Sequence, residues 1–229
     1  MIILRDNSYS IDNRLDRIEQ FDSKSRSFSV TEVFPERELI SRVWLIRTVL
    51  DQGREGACVG FGTTHALLAE PKAGDKDVFT ADFARNKIYR PAQLNDEFPG
   101  QEPEMSGTSV LAGLKEAKKL GHITGYHWAF GLQEALVGLS WYGPAVIGVR
   151  WYAGMTDPDE FGFIHPTGRC VGGHCCLVSS INIQRETVCI HNSWGYNWGI
   201  EGRAWLNWED FDKLLERGGE CAFLDKSCD

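Results

Sequence analysis

The sequence predicts an α+β protein, with helices in its first half and antiparallel strands in its second. Three observations carry this. Apolar residues recur at helical spacing after Cys58 and again after Ser109. Continuous apolar runs of strand length occupy residues 145–151, 175–183 and 187–191. A polar turn at Gln184–Glu186 separates the last two runs, as in a hairpin.

Residues 1 to about 40 are polar and irregular, with alternating Asp and Arg up to Asp22 and a Ser-rich patch at Ser23–Ser29. They read as an arm or leader that packs on something else. Val43–Val49 is apolar and β-branched, hence extended, and the loop Asp51–Ala57 follows. Phe61, His65, Leu68 and Ala69 then mark a buried helix that starts near Cys58 and stops at Pro71. Residues 71–107 are rich in Pro, Gly and charge, with a short helical candidate at Thr80–Tyr89. Ser109–Leu120 is a clear amphipathic helix closed by Gly121, and Leu132–Leu139 is a third candidate. Strands are expected at Ala145–Trp151, Cys175–Ile183, Thr187–His191 and Ala204–Trp208. Helices first and strands later imply two lobes of different class. The expected boundaries are 1–40 for the arm, 41–125 for the helical lobe, 126–215 for the β lobe and 216–229 for a tail.

Bulk properties narrow the function. The chain has 229 residues, 42% hydrophobic and 24% charged, with eight Trp and twelve Phe for its core. A net charge of -8 speaks against a general nucleic-acid surface. No apolar run approaches the roughly 20 residues of a membrane helix, so no membrane partner is expected. The N-terminus is too short and too soon charged for a signal peptide. Together with an odd count of seven cysteines, this predicts the cytoplasm, or a particle assembled there. Residues 1–40 could join such a particle. Nothing supports pairing Cys221 with Cys228.

Cys58 stands where a loop enters a helix, and a helix N-terminus favours the reactive thiolate. His174 begins one strand and Asn192 ends the next, each nine residues from Ile183, so a hairpin sets them abreast. An amide there can fix the imidazole's tautomer. Gln52, six residues before Cys58, can donate to a developing oxyanion together with the Cys58 N–H. Cys170, His174, Cys175 and Cys176 look like a metal cluster. Adjacent strand residues point to opposite faces, however, and no C-x-x-C pair is present, so no metal is expected. Trp205 and Trp208 read as core or interface residues.

The segment Asp51-Gln52-Gly53-Arg54-Glu55-Gly56-Ala57-Cys58-Val59-Gly60-Phe61 resembles the nucleophile segment of papain and the cathepsins. Gly172-Gly173-His174-Cys175-Cys176-Leu177 resembles the histidine segment of the same family. Asn192-Ser193-Trp194-Gly195 with Trp198-Gly199, Glu201 and Gly202 closely resembles its asparagine segment. Asn192 lies 134 residues and His174 116 residues beyond Cys58; in this family both partners stand roughly 130–150 residues downstream. The resemblance covers about residues 45–208. It implies a papain-like two-lobed fold, a helical lobe followed by a β-barrel-like lobe with the active-site cleft between them. It further implies a cysteine peptidase acting on polypeptides without a cofactor, Cys58 as nucleophile, His174 as base, Asn192 as orienter and Gln52 in the oxyanion hole. Trp194 would shield the His–Asn bond. Gly107, Thr108, Gly173 and Trp194 would line the substrate cleft. Two positions depart from the family: Val59 replaces an aromatic residue and Glu55 a disulfide cysteine. The arm lacks the long helical propeptide pattern, so a removable inhibitory leader is not expected, although the arm could cover the cleft. Two alternatives stand beside hydrolysis. One is a binding or structural component of a larger assembly, such as a virus particle. The other is transfer of the same thioester to an amine.

Overall fold

The computed structural model describes residues 1–20, 24, 27–33, 37–100 and 105–226. The chain opens with a hairpin, β1 (Ile2–Ile3) and β2 (Tyr9–Ser10), then β3 (Arg17–Ile18), a helical turn α1 (Val30–Val33) and β4 (Arg42–Val43). Next comes α2 (Cys58–Leu68). A continuous helical stretch then joins α3 (Ala81–Phe83), a π-helical turn (Ala84–Tyr89) and α4 (Arg90–Asn95). It is followed by β5 (Thr108–Ser109), α5 (Val110–Lys119), β6 (Ile123–Trp128), α6 (Leu132–Trp141) and β7 (Ala145–Tyr152). The chain ends with β8 (Cys170–Asn182), β9 (Thr187–His191), β10 (Arg203–Asn207), α7 (Trp208–Glu216) and β11 (Glu220–Lys226).

Seven strands form one antiparallel sheet in the order β10-β9-β8-β7-β11-β6, with β4 added on β8. Alternation along the strands gives the sheet two apolar faces. Cys175, Leu177, Val146, Ala222 and Leu224 point to α2, α5 and the helical stretch 81–95. Cys176, Val178, Ile147, Cys221 and Phe223 point to the opposite core, which takes in residues of α6 and α7. The adjacent Cys175 and Cys176 thus lie in different cores. Every residue of α2 is buried. Two glycines permit this: a Cβ on Gly60 would lie 2.3 Å from Ala84 O, and one on Gly62 2.8 Å from Cys175 Sγ.

The elements differ from expectation in places. Only Arg42–Val43 of the extended run near 43–49 pairs with the sheet. The helical candidate at 80–89 continues to Asn95, because the widened π turn accommodates Pro91, which has no N–H to give. Residues 220–226, expected in the tail, form β11 between β7 and β6. Strand β6 spans the expected 125/126 lobe boundary. Trp208 packs against the core shared by α6 and α7. Cys221 is a free thiol, while Cys228 and residues 23, 25 and 26 of the Ser-rich patch lie outside the described residues.

Candidate active site

Cys58 is the first residue of α2, and its N-cap residue, Ala57, has no side chain that can accept from the helix. The first N–H groups therefore need an outside acceptor. The N-terminal arm supplies one: the Cys58 N–H donates to Asp16 Oδ1 at 3.3 Å, and Cys58 Sγ donates to the same oxygen at 3.0 Å. The Tyr89 hydroxyl donates to Asp16 Oδ2 at 2.5 Å. From β8, the Cys175 N–H donates to the sulfur at 3.3 Å. Burial pushes the Cys58 thiol pKa well above its ordinary value, and Asp16 adds to the rise. These effects overrule the thiolate preference of a helix N-terminus.

His174 Nε2 lies 2.8 Å from Asn192 Oδ1. An amide oxygen only accepts, so Nε2 carries the hydrogen and Nδ1 keeps its lone pair. Nδ1 has no hydrogen-bond partner. The hairpin register, Leu177 with His191 and Val178 with Ile190, sets Asn192 level with Cys176 rather than His174. The two side chains meet along the diagonal instead of abreast. Trp151 and Trp194 flank the imidazole, with ring centroids at 4.7 and 5.0 Å, and shut out water. Burial lowers the His174 pKa to about 4, against the raising effect of the Asn192 hydrogen bond. The Cys58 sulfur donates to Asp16 and not to His174. Burial thus disfavours both charged forms, the Cys58 thiolate and the His174 imidazolium.

Gln52 is held by Ser193: its N–H donates to Ser193 O at 2.9 Å, and its Oε1 accepts from Ser193 Oγ at 2.7 Å. Its Nε2 donates to Glu55 O at 2.9 Å and to Arg14 O at 3.1 Å. A peptide carbonyl of the arm therefore already rests on the Gln52 amide. Gly107, Thr108, Gly173 and Trp194 all lie against the arm. Strand β3 pairs in parallel with β5, Arg17 with Thr108, while Asp16 bridges Gly173. A Cβ on Gly173 would lie 2.1 Å from Arg17 O, and one on Gly107 2.8 Å from the Ile18 side chain, so both glycines let the arm lie close. The Arg14 guanidinium sits 3.9 Å from the Trp194 ring centroid.

The arm, expected to pack on something else, thus lies against β5 and β8 of its own chain, and among its described residues the helical turn Val30–Val33 is the one α-helical segment. Cys58, His174, Asn192 and Gln52 are all at 0% exposure. Two buried ion pairs fasten the arm: Arg5 to Asp96 at 2.8 Å, and Arg17 to Glu220. The reading of the sequence missed Asp16, Arg17, Glu220 and Ser193. The one signal for the first two was the alternation of Asp and Arg in an otherwise unpatterned arm. The family departures are also explained. Val59 fits against α5, where a Cβ on Gly113 would lie 2.6 Å from it. Glu55 pairs with Arg85 of the π turn in place of a disulfide.

No family model matches the sequence, and no curated protein matches it. Solved structures do. Xylellain, a cysteine protease from Xylella fastidiosa, superposes with a TM-score of 0.73 at 18% identity, over 96% of this chain and 99% of its own. ProCathepsin B S9 from Trypanosoma congolense gives 0.58 at 11%, over 94% and 84%. The bromelain protease from Ananas comosus, solved with the E64 inhibitor, gives 0.56 at 13%, over 80% and 94%. With its large antiparallel sheet and its helix beginning at Cys58, the chain has the papain-like α+β fold of these cysteine proteases.

Proposed function

We propose that the chain is a papain-like cysteine peptidase kept latent by its own residues 11–18. One observation carries this reading: an extended stretch of polypeptide lies across Cys58, paired to β5 and β8, with the Arg14 carbonyl on the Gln52 amide. A groove that accepts a peptide backbone over a buried thiol is built for peptide substrates.

When the arm lifts, water reaches the groove and Cys58 loses its carboxyl neighbour. His174 Nδ1, the free ring nitrogen, takes the thiol proton, and the sulfur attacks the scissile carbonyl carbon. The carbonyl electron pair moves onto oxygen, which the Cys58 N–H and Gln52 Nε2 then hold. His174 returns the proton to the leaving amine as the C–N bond breaks, leaving a thioester. A water molecule, losing its proton to His174, attacks that thioester; the C–S bond breaks and the thiol re-forms. Asn192 keeps the ring in place throughout.

The hydrogen bond from Cys58 to Asp16, rather than to His174, favours a second reading: a binding component that retains the fold. Cleavage of a denatured protein by the Asp16→Ala variant distinguishes the two. The peptidase reading expects cleavage, new C-termini bearing a free carboxylate by mass, and none in the Asp16→Ala/Cys58→Ser double variant. Ligated products would assign transfer to an amine. If nothing is cleaved and Cys58 alkylates no faster than the exposed Cys170, the binding reading holds.

A further inference from the structure

The end of α2 remote from Cys58 borders a cavity of about 610 Å³ that the reaction does not use. Its wall is mostly apolar, with Ala66 of α2, Pro71, Tyr142, Pro144 and Leu224. Two lysines line it as well, Lys72 in the loop after α2 and Lys226 at the end of β11. Lys226 Nζ donates to the carbonyl oxygen of Ala69, the C-cap residue of α2. Lys72 Nζ donates to the Lys226 carbonyl oxygen at 3.3 Å. Asp225, which also lines the cavity, lies 3.1 Å from His127. Burial, with the Lys72 charge added, lowers the Lys226 pKa from its ordinary 10.5 to about 7.

We propose that this cavity is a covalent site for an aldehyde carrying an anionic group, with Lys226 as the attacking amine and Lys72 as the counter-charge. The site stands apart from the peptidase reading and does not need it. A lysine becomes nucleophilic when it is desolvated in an apolar pocket or held near a second cation, and Lys226 meets both conditions. A lysine that only capped α2 would stay charged, because the negative end of a helix favours a cation. In the step itself, the neutral amine adds to the aldehyde carbon and the carbonyl electron pair moves onto oxygen. That oxygen then leaves as water with both hydrogens of the amine, and a C=N bond remains. The apolar wall suits the body of the ligand. The Lys72 ammonium sets the preference for an anion, through an attraction that grows as water is excluded.

Borohydride trapping of the imine tests this on the full chain at pH 7, with 4-carboxybenzaldehyde and its uncharged amide as the two probes. Mass mapping reads the labelling of each lysine. Lys76 is the reference, an exposed lysine whose pKa is raised by its hydrogen bond to Asp77. Lys226 is expected to label about tenfold or more faster than Lys76. Roughly half of its amine is neutral at pH 7, against less than about a thousandth for an ordinary lysine, and this outweighs its weaker nucleophilicity. Measured against Lys76, Lys226 should also favour the carboxylate probe over the amide, and Lys72→Met should remove that preference. Labelling of Lys226 no faster than that of Lys76 would mark a plain helix cap and overturn the proposal. The same carboxylate-to-amide ratio at Lys226 and Lys76 in the native chain overturns it too, because Lys72 would then hold no anion. Either result leaves the peptidase reading untouched, since Cys58 takes no part in the measurement.

Discussion

Cys58 Sγ has a backbone N–H on one side and a carboxyl on the other, and the carboxyl governs its reactivity. Asp16 raises the thiol pKa, and its oxygen occupies the Cys58 N–H that a substrate oxyanion would need. Asp16→Ala removes both effects at once. Alkylation of Cys58 by iodoacetamide at pH 7 should rise by about threefold for each unit the thiol pKa falls, the gain in thiolate outweighing its weaker nucleophilicity. Mass mapping of the modified cysteine checks this, with Cys170 as the internal reference. An unchanged rate would mean that burial alone quiets the thiol. The groups named by the sequence and the groups it hid differ in one respect. Cys58, His174, Asn192 and Gln52 sit in short local words whose spacing survives in the linear chain. Asp16 finds Cys58 42 positions away, and Arg17 finds Glu220 203 positions away, with no pattern around either partner. Such pairings exist only after the arm has chosen its path.

At the scale of elements, α2 positions the nucleophile because it lies almost against the sheet. A methyl group on Gly62 would meet Cys175 Sγ at 2.8 Å and the backbone at Cys175 C and Cys176 N at 3.4 Å. Gly62→Ala should therefore push α2 away from β8, costing about 1–3 kcal/mol as overpacked cores do. Gly143→Ala is the control, since a Cβ there meets only Pro71 Cδ at 3.7 Å. Thermal melts should show a clear drop for the first and almost none for the second; equal melts would show that the helix has slack. Helix α2 was legible from its apolar spacing and Pro71, and β9 from its unbroken apolar run. Helix α7 escaped because its charged residues mask a stripe formed by Phe211, Leu214 and Leu215. The alternation of Cys221 and Phe223 with Ala222 and Leu224 was in the sequence too, but a strand so close to the C-terminus reads as a tail until its partners β6 and β7 are known.

For the whole molecule the central equilibrium is the arm in or out of the groove, and acid should shift it outward. His174 is buried with the arm in place, and burial holds its pKa down at about 4, from an ordinary value near 6.5. The Arg14 charge lowers it further, while Asp12 and the Arg14 backbone, both of the arm, raise it. With the arm out, water returns and the pKa moves back toward 6.5. Between these values the open state binds a proton that the closed state refuses, so the closed state is fully favoured above about pH 6.5 and loses ground as pH falls toward 4. His191, also depressed to about 4 by burial, and His65, likewise lowered, titrate in the same sense, but they lie within the folded body and weaken it as a whole. The two processes separate in hydrogen exchange. After correction for intrinsic rates, amides of residues 12–18 should lose protection between pH 6.5 and 4.5, while those of β7 and β8 keep theirs. His174→Gln, which cannot take up the proton, should flatten the pH dependence of the arm. Loss of arm protection only in step with the sheet would tie the acid response to His65 and His191, and would mean that arm and body come apart together.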